Sequence, residues 1–410
     1  MPIKTAVAAF GSGMQPVSDR SEVPTRRNVP GAKPASALPS YSSTDAALED
    51  LRPSEAVFCI RPDELRRAAQ SFGVFPGRVL YAVKCNPHPF VLRALFDAGV
   101  RDFDVASLDE IQLVNGLFGK AAGQFFNNPA KSRKALRSAS EEHGIRFYTV
   151  DCEEEIEKVL EEVHGDDVMI AVRLATPARE ARYVLSTKFG APPVEAARLL
   201  QIVHRRGLKA GLTFHVGSQC LAPKAFSNAL SIVGKVLDRA GVPISVLNVG
   251  GGFPASYPGD RCPGLETYFS HIIHGRRRLN LPSGCMLLCE PGRSLVATAG
   301  TLLVQVIMRR DRALYLNDGV FGTLQELGHP KERRPVRLMR SGGLDSERCI
   351  DFRIYGPTCD SNDVLGAHFR LPEDTHEGDW IEVGMMGAYS LSMRTRFNGF
   401  FTENVVSLDG

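Results

Sequence analysis

The sequence predicts an α/β protein in which a closed (β/α)8, TIM-type barrel is followed by a C-terminal all-β domain. Three observations carry this. From Phe58 onward, short runs rich in β-branched and aromatic residues alternate with amphipathic stretches of helical length, the pattern of βα units and a parallel sheet. About eight such units occupy roughly 230 residues, the size of a barrel of this type. After Gly292 the long helical stretches cease and strand-like runs follow one another directly. Periodicity alone does not show closure, so a doubly wound open sheet remains a competitor.

In chain order, residues 1–44 are rich in Pro, Ser, Gly and Ala without a hydrophobic period, and are expected to be a disordered leader. Arg20, Arg26 and Arg27 invite a transit-peptide reading, but Asp19 and Glu22 count against it. Within residues 45–60, Glu55–Ile60 is expected to add a strand to the β-domain. Residues 61–295 form the barrel, with strands at Val79–Lys84, Phe103–Ala106, Gln124–Asn127, Phe147–Val150, Val168–Leu174, Leu212–Val216, Val246–Val249 and Met286–Cys289. Residues 296–410 form the β-domain, with strands at Leu302–Met308, Ala313–Asn317, Pro335–Met339, Cys349–Tyr355 and Trp380–Val383.

Composition narrows the function. A net charge of +3 over 410 residues, with basic side chains scattered, implies no nucleic-acid partner. The most apolar stretch, Leu295–Met308, contains Thr, Gly and Gln and is too short to span a bilayer. Nine cysteines form no CxxC pair and no Cys/His set with zinc spacing, so no metal site is expected. An odd cysteine count without a secretory signal argues for reduced thiols and a cytoplasmic setting.

The predicted strands end, in order, at Lys84, Asp104, Asn127, Asp151, Arg173, His215, Gly250–Gly252 and Glu290. A barrel would gather this set at one mouth, where barrel enzymes keep their active sites. Lys84 alone could be an ordinary rim lysine. Desolvated there, its pKa would fall and supply the free amine that an imine requires. Gly250, Gly251 and Gly252 follow strand seven, a usual place for a phosphate cradle, although glycine turns are common. Arg293 would add charge-assisted contacts, and Ser218 a further phosphate donor. Glu290 closes an apolar run and needs a partner. A protonated pyridine nitrogen is one, strengthening pyridoxal phosphate (PLP) as an electron sink; a structural ion pair with Arg173 is the other. His215 would stack on a cofactor ring or be a satisfied core histidine.

The same residues carry a family resemblance, in YAVKCN at 81–86, FDVASLDEI at 103–111, FHVGSQ at 214–219, NVGGGFP at 248–254, EPGRS at 290–294, DGVFG at 318–322, GPTCDSND at 356–363, GAY at 387–389 and FNGF at 397–400. In that order, from Phe58 to Phe401, the chain resembles the barrel-type (fold type III) PLP-dependent decarboxylases of basic amino acids, most of all the members acting on ornithine. The resemblance implies PLP as cofactor, held covalently by Lys84. It implies that Glu290 pairs with the ring nitrogen and His215 stacks on the ring. Ser218, Gly250 to Gly252, Arg293 and Tyr389 would hold the phosphate, and Asp104 and Arg173 would lie near Lys84 and the ring. Cys359 would protonate the carbanion left by carbon dioxide, and Asp360 would bind the substrate's distal amine. Both would reach into the partner subunit's site, implying a homodimer with two shared sites. Ornithine would give putrescine and a place in polyamine biosynthesis.

One departure bears on the substrate. Ornithine-acting relatives carry an aspartate several residues after DGVFG, whereas this chain reads TLQELGHP from Thr323 to Pro330. The slot falls near Gly328 or His329, and Glu326 is the carboxylate in that stretch. Lysine, arginine or a less usual diamino acid therefore compete with ornithine, although Asp360 and Asp363 still favour a cationic distal group. A racemase on a similar barrel and a catalytically inactive regulatory relative are the other readings. Retention of Lys84, Glu290, Arg293, Cys359 and Tyr389 argues against the latter.

Overall fold

The computed structural model of the chain describes residues 38–177, 180–185, 187–340 and 346–409. Most of the expected leader, residues 1–37, lies outside the described residues. Its expected end at Thr44 is too late: β1 (Ser40–Tyr41) is a strand and α1 (Thr44–Leu51) a helix, capped where the Ser43 side chain accepts from Ala46 N–H. The strand β2 (Val57–Ile60) follows, fully buried.

The barrel alternates α2 (Pro62–Ser71), β3 (Arg78–Ala82), α3 (Pro89–Asp97), β4 (Asp102–Val105), α4 (Leu108–Phe118), β5 (Gly123–Phe126), α5 (Arg133–Glu141), β6 (Phe147–Val150), α6 (Glu153–Glu162) and β7 (Met169–Leu174). After the short β8 (Ala181–Tyr183) come α7 (Pro193–Arg205), β9 (Lys209–Phe214), β10 (Ser218–Cys220), α8 (Lys224–Ala240), β11 (Val246–Asn248), α9 (Leu265–Arg277), β12 (Met286–Cys289) and α10 (Arg293–Val296). The eight strands β3, β4, β5, β6, β7, β9, β11 and β12 close into a parallel barrel, which removes the open-sheet alternative. Leu80, Phe125, Phe147, Ala171, Val246 and Leu288 pack together as an apolar plug. Side chains two residues apart share a face of a strand. The next step up from this plug is therefore Ala82, Asn127, Thr149, Arg173, Asn248 and Glu290: a polar layer sits directly above an apolar one.

The remaining strands are β13 (Gly300–Arg310), β14 (Ala313–Leu316), β15 (Val336–Met339), β16 (Cys349–Tyr355), β17 (Phe369–Pro372), β18 (Trp380–Val383) and β19 (Val405–Leu408). With β1 and β2 they form one sheet in the order β1-β19-β2-β13-β14-β16-β17, with β18 pairing both β13 and β15. The long β13 turns between partners at an irregularity between Val306 and Met308. Among the described residues no helix is long and apolar enough to cross a membrane.

Candidate active site

Lys84 sits one turn past β3, in a 3-10 segment spanning Val83–Cys85, rather than in the strand itself. Its Nζ donates to Asp104 Oδ2 at 2.7 Å. Protein surrounds the amine, yet the side chain is 46% exposed because the barrel mouth is open above it. Burial lowers its pKa, but the charges of Asp104, Tyr389 and Glu290 outweigh burial and raise it. The expected depression is therefore reversed: in this chain Lys84 is a firmly held ammonium, because a buried carboxylate stands beside it.

Glu290 follows β12. Its Oε1 accepts from Asn127 Nδ2 at 2.9 Å and Asn248 Nδ2 at 2.5 Å. Burial, then the nearby Asp104 charge, pushes Glu290 up to about 7, while Lys84, Arg173 and Asn248 pull the other way. His215 follows β9; its Nδ1 accepts from Gly217 N–H at 2.9 Å, which leaves the proton of the neutral ring on Nε2. Burial, then Arg173 and Lys84, lowers it to about 3, so the imidazole is uncharged at neutral pH.

The glycine loop follows β11. Gly250 and Gly252 have φ of +65° and +107°. A Cβ on Gly251 would lie 2.6 Å from Glu290 O and 2.9 Å from His215 Nε2, and one on Gly252 would lie 2.6 Å from Gly217 O. Nothing larger than glycine fits, so bare N–H groups line the loop. Beside it, Arg293 Nε reaches Ser218 Oγ at 3.4 Å, and Ser218 is fixed by the antiparallel β8–β10 pair, two strands too short to stand out in the sequence. Tyr389 joins from the far end of the chain: its N–H donates to Cys85 O at 2.9 Å and its ring lies 5.0 Å from the Arg293 guanidinium. Its φ of +55° is unusual for a tyrosine, a strained backbone at the rim of the site.

Four residues assigned to substrate fare differently. Glu326 is buried and grips Arg293 with both oxygens (Nη2–Oε1 2.6 Å, Nη1–Oε2 2.8 Å) while Arg334 reaches it at 3.2 Å. It braces Arg293 rather than standing open as a substrate contact, because two buried guanidiniums converge on it. Asp363, also buried, accepts from Val320 N–H at 2.9 Å and from Thr358 N–H at 3.0 Å and Oγ1 at 2.7 Å, stapling two loops together. His329 accepts from Lys331 N–H and lies 5.5 Å from the Tyr183 ring. Asp360 is half-buried and accepts from Asn362 N–H at 2.8 Å, beside the exposed Cys359, whose Sγ donates to Asn398 Oδ1 at 3.5 Å. No hydrogen bond or ion pair among the described residues joins Cys359 or Asp360 to the barrel mouth.

In the sequence Asn127 is visible only as a strand end, Asn248 only as the first residue of the glycine motif, and Thr149 does not stand out at all. Their signal is the two-residue period: each lies one step above an apolar plug residue. The buried Asp104 Oδ1 has no hydrogen-bond partner, so the mouth holds an unsatisfied acceptor next to the lysine. An amine, a neutral imidazole, a carboxylate with one oxygen to spare and a side-chain-free loop define a barrel enzyme built around a phosphorylated aldehyde cofactor.

Residues 62–297 match the family model described as pyridoxal-dependent decarboxylase, pyridoxal binding domain. An ornithine decarboxylase of Schizosaccharomyces pombe is 34% identical over 352 residues, covering 80% of this chain and 77% of that enzyme. A lysine/ornithine decarboxylase of Selenomonas ruminantium is 33% identical, covering 82% and 84%. The solved arginine decarboxylase of Paramecium bursaria Chlorella virus, bound to agmatine, superposes with a TM-score of 0.79 at 26% identity, covering 88% of this chain and 98% of that one. The chain belongs to the PLP-dependent amino acid decarboxylases: an enzyme acting on basic amino acids, with PLP as its cofactor.

Proposed function

We propose that the substrate is an L-amino acid with a distal cation, ornithine first, giving putrescine and placing the enzyme in polyamine biosynthesis. It works as a homodimer whose sites are each completed by Cys359 and Asp360 of the partner subunit. The observation that carries this is the pair itself: an exposed thiol beside a half-buried carboxylate, with no hydrogen bond or ion pair among the described residues tying either to its own barrel mouth. With Glu326 and Asp363 engaged, Asp360 is the carboxylate left to meet a distal amine. Phe397 and Phe400, each about two-fifths exposed on either side of the Asn398 that Cys359 meets, give a second copy an apolar surface to cover. Nine free thiols fit a reducing, cytoplasmic setting.

Bound PLP supplies the electron sink for the pair left at Cα when carbon dioxide departs. Lys84, once its ammonium has given up a proton, would supply the amine that holds the cofactor's aldehyde carbon. Asp104, which accepts from the Lys84 ammonium in the cofactor-free chain, would keep that side chain in position. Glu290 would offer its free Oε2 to the ring nitrogen, and His215, uncharged, would pack against the ring. Arg293, braced by Glu326, would hold the phosphate together with Ser218, Gly250 to Gly252 and Tyr389. The Cys359 thiol would return a proton to Cα.

Carbon-dioxide release from PLP-loaded protein, with amine products identified, tests the substrate. Ornithine, lysine, arginine, diaminopimelate and 2,4-diaminobutyrate are compared. Preference for ornithine, with KM raised by Asp360→Asn, supports the reading. Failure of all five while PLP stays bound would sink it and direct the search to larger or modified diamino acids.

A further inference from the structure

Glu290 is held by an arrangement that reaches across the barrel. Asn248 closes β11, the strand next to β12, whereas Asn127 follows β5, which is separated from β12 by β3 and β4. Both amides donate to the same oxygen, Oε1. Neither can turn round. Asn248 Oδ1 accepts from Gly250 N–H at 2.9 Å, a group that can only donate. Asn127 Oδ1 accepts from Thr149 Oγ1 at 3.0 Å, and a flipped amide would set its oxygen against a carboxylate. Asn127, Thr149 and Asn248 are all buried, so the bonds are shielded from water. Oε2 makes no hydrogen bond among the described residues.

We propose that Asn127 and Asn248 are positioning residues that keep Glu290 ionised and aim its Oε2 at the cofactor's ring nitrogen, so that the shared proton stays on the ring. The inference rests on the reading that Glu290 faces that nitrogen. Donors to a carboxylate favour its charged form. They oppose burial and the neighbouring Asp104 charge, both of which favour a neutral acid. The contest decides which atom of the pair carries the proton, and only a protonated ring is a strong electron sink. Asn248 also acts at the other end of the cofactor, because through Gly250 the same side chain fixes the loop that meets the phosphate. Ring-nitrogen and phosphate ends are thus set in register by one amide.

The test reads the proton directly. PLP labelled with nitrogen-15 in the ring is loaded into the holoenzyme, and its nitrogen resonance is recorded at neutral pH without substrate. The intact enzyme should show a protonated ring. Asn127→Ala should move the resonance toward the unprotonated position and lower kcat by roughly tenfold with little change in KM, the size of one lost charge-assisted bond. Thr149→Val, which keeps the volume but frees Asn127 to turn, should move it the same way by less. Glu290→Gln is the control: if it leaves the resonance unchanged, Glu290 does not face the ring nitrogen and that reading fails. If Glu290→Gln shifts the resonance while Asn127→Ala and Thr149→Val do not, the clamp inference is overturned and the amides are merely structural.

Discussion

His215 shows what the barrel mouth asks of a single side chain. Held near 3 against an ordinary value of 6.5, its imidazole resists protonation in the folded state. Between those values the unfolded chain binds the extra proton, so His215 contributes stability that is lost as pH falls through this window, at about 1.4 kcal/mol per pH unit. Glu290, raised to about 7, acts in the opposite sense: the folded state holds more proton between 4.5 and 7, and stability is lost as pH rises there. Urea unfolding of the cofactor-free chain at pH 6.5 and 4.5 separates them. The loss on acidification should be smaller by about 2 kcal/mol in His215→Asn than in the native chain; an equal loss would mean the imidazole is charged in the fold. Residue roles were legible in unequal measure. Lys84, His215 and Glu290 stand out because strand ends expose them to reading. Glu326 misleads, since its neighbours Arg293 and Arg334 converge only in three dimensions.

The glycine loop is the element on which the site turns. Gly251 is closed in from two sides, by the Glu290 carbonyl and the His215 ring, so Gly251→Ala must displace one of them. The expected cost is about 1–3 kcal/mol of stability and a clear loss of PLP affinity; unchanged affinity in equilibrium titration would show that the loop has room to spare. Element by element, the barrel was readable because fully buried parallel strands write long apolar runs between helices. The strand β17 was not: four residues, FRLP, ending in proline, give no period to detect. β1 and β19 were missed for the same reason, being two and four residues long and recognisable only by their pairing in the sheet, β1 with β19 and β19 also with β2.

For the whole molecule the decisive question is whether two copies share their sites, as proposed above. A chain with Lys84→Ala and a chain with Cys359→Ala are each inactive or nearly so, but a mixture should recover about a quarter of the native turnover. Half of randomly reassorted dimers would then hold one intact site out of two. No recovery after subunit exchange is verified would place Cys359 in its own chain's site and sink the shared-site reading. This level of organisation was legible only through resemblance, because nothing in a single chain's periodicity records a second copy.

The pairing of β19 carries a consequence for biosynthesis. It lies between β1 and β2, matching Ser407 to Ser40 on one side and Val405 to Phe58 on the other. While the ribosome is still decoding the barrel, both early strands wait beside an empty slot, with their backbone N–H and C=O groups unmatched. Contacts so distant in sequence form slowly, and open strand edges are what chaperones shield and aggregates capture. The vulnerable interval for this enzyme is therefore late translation, after the barrel has emerged and before Val405–Leu408 arrives to fill the slot.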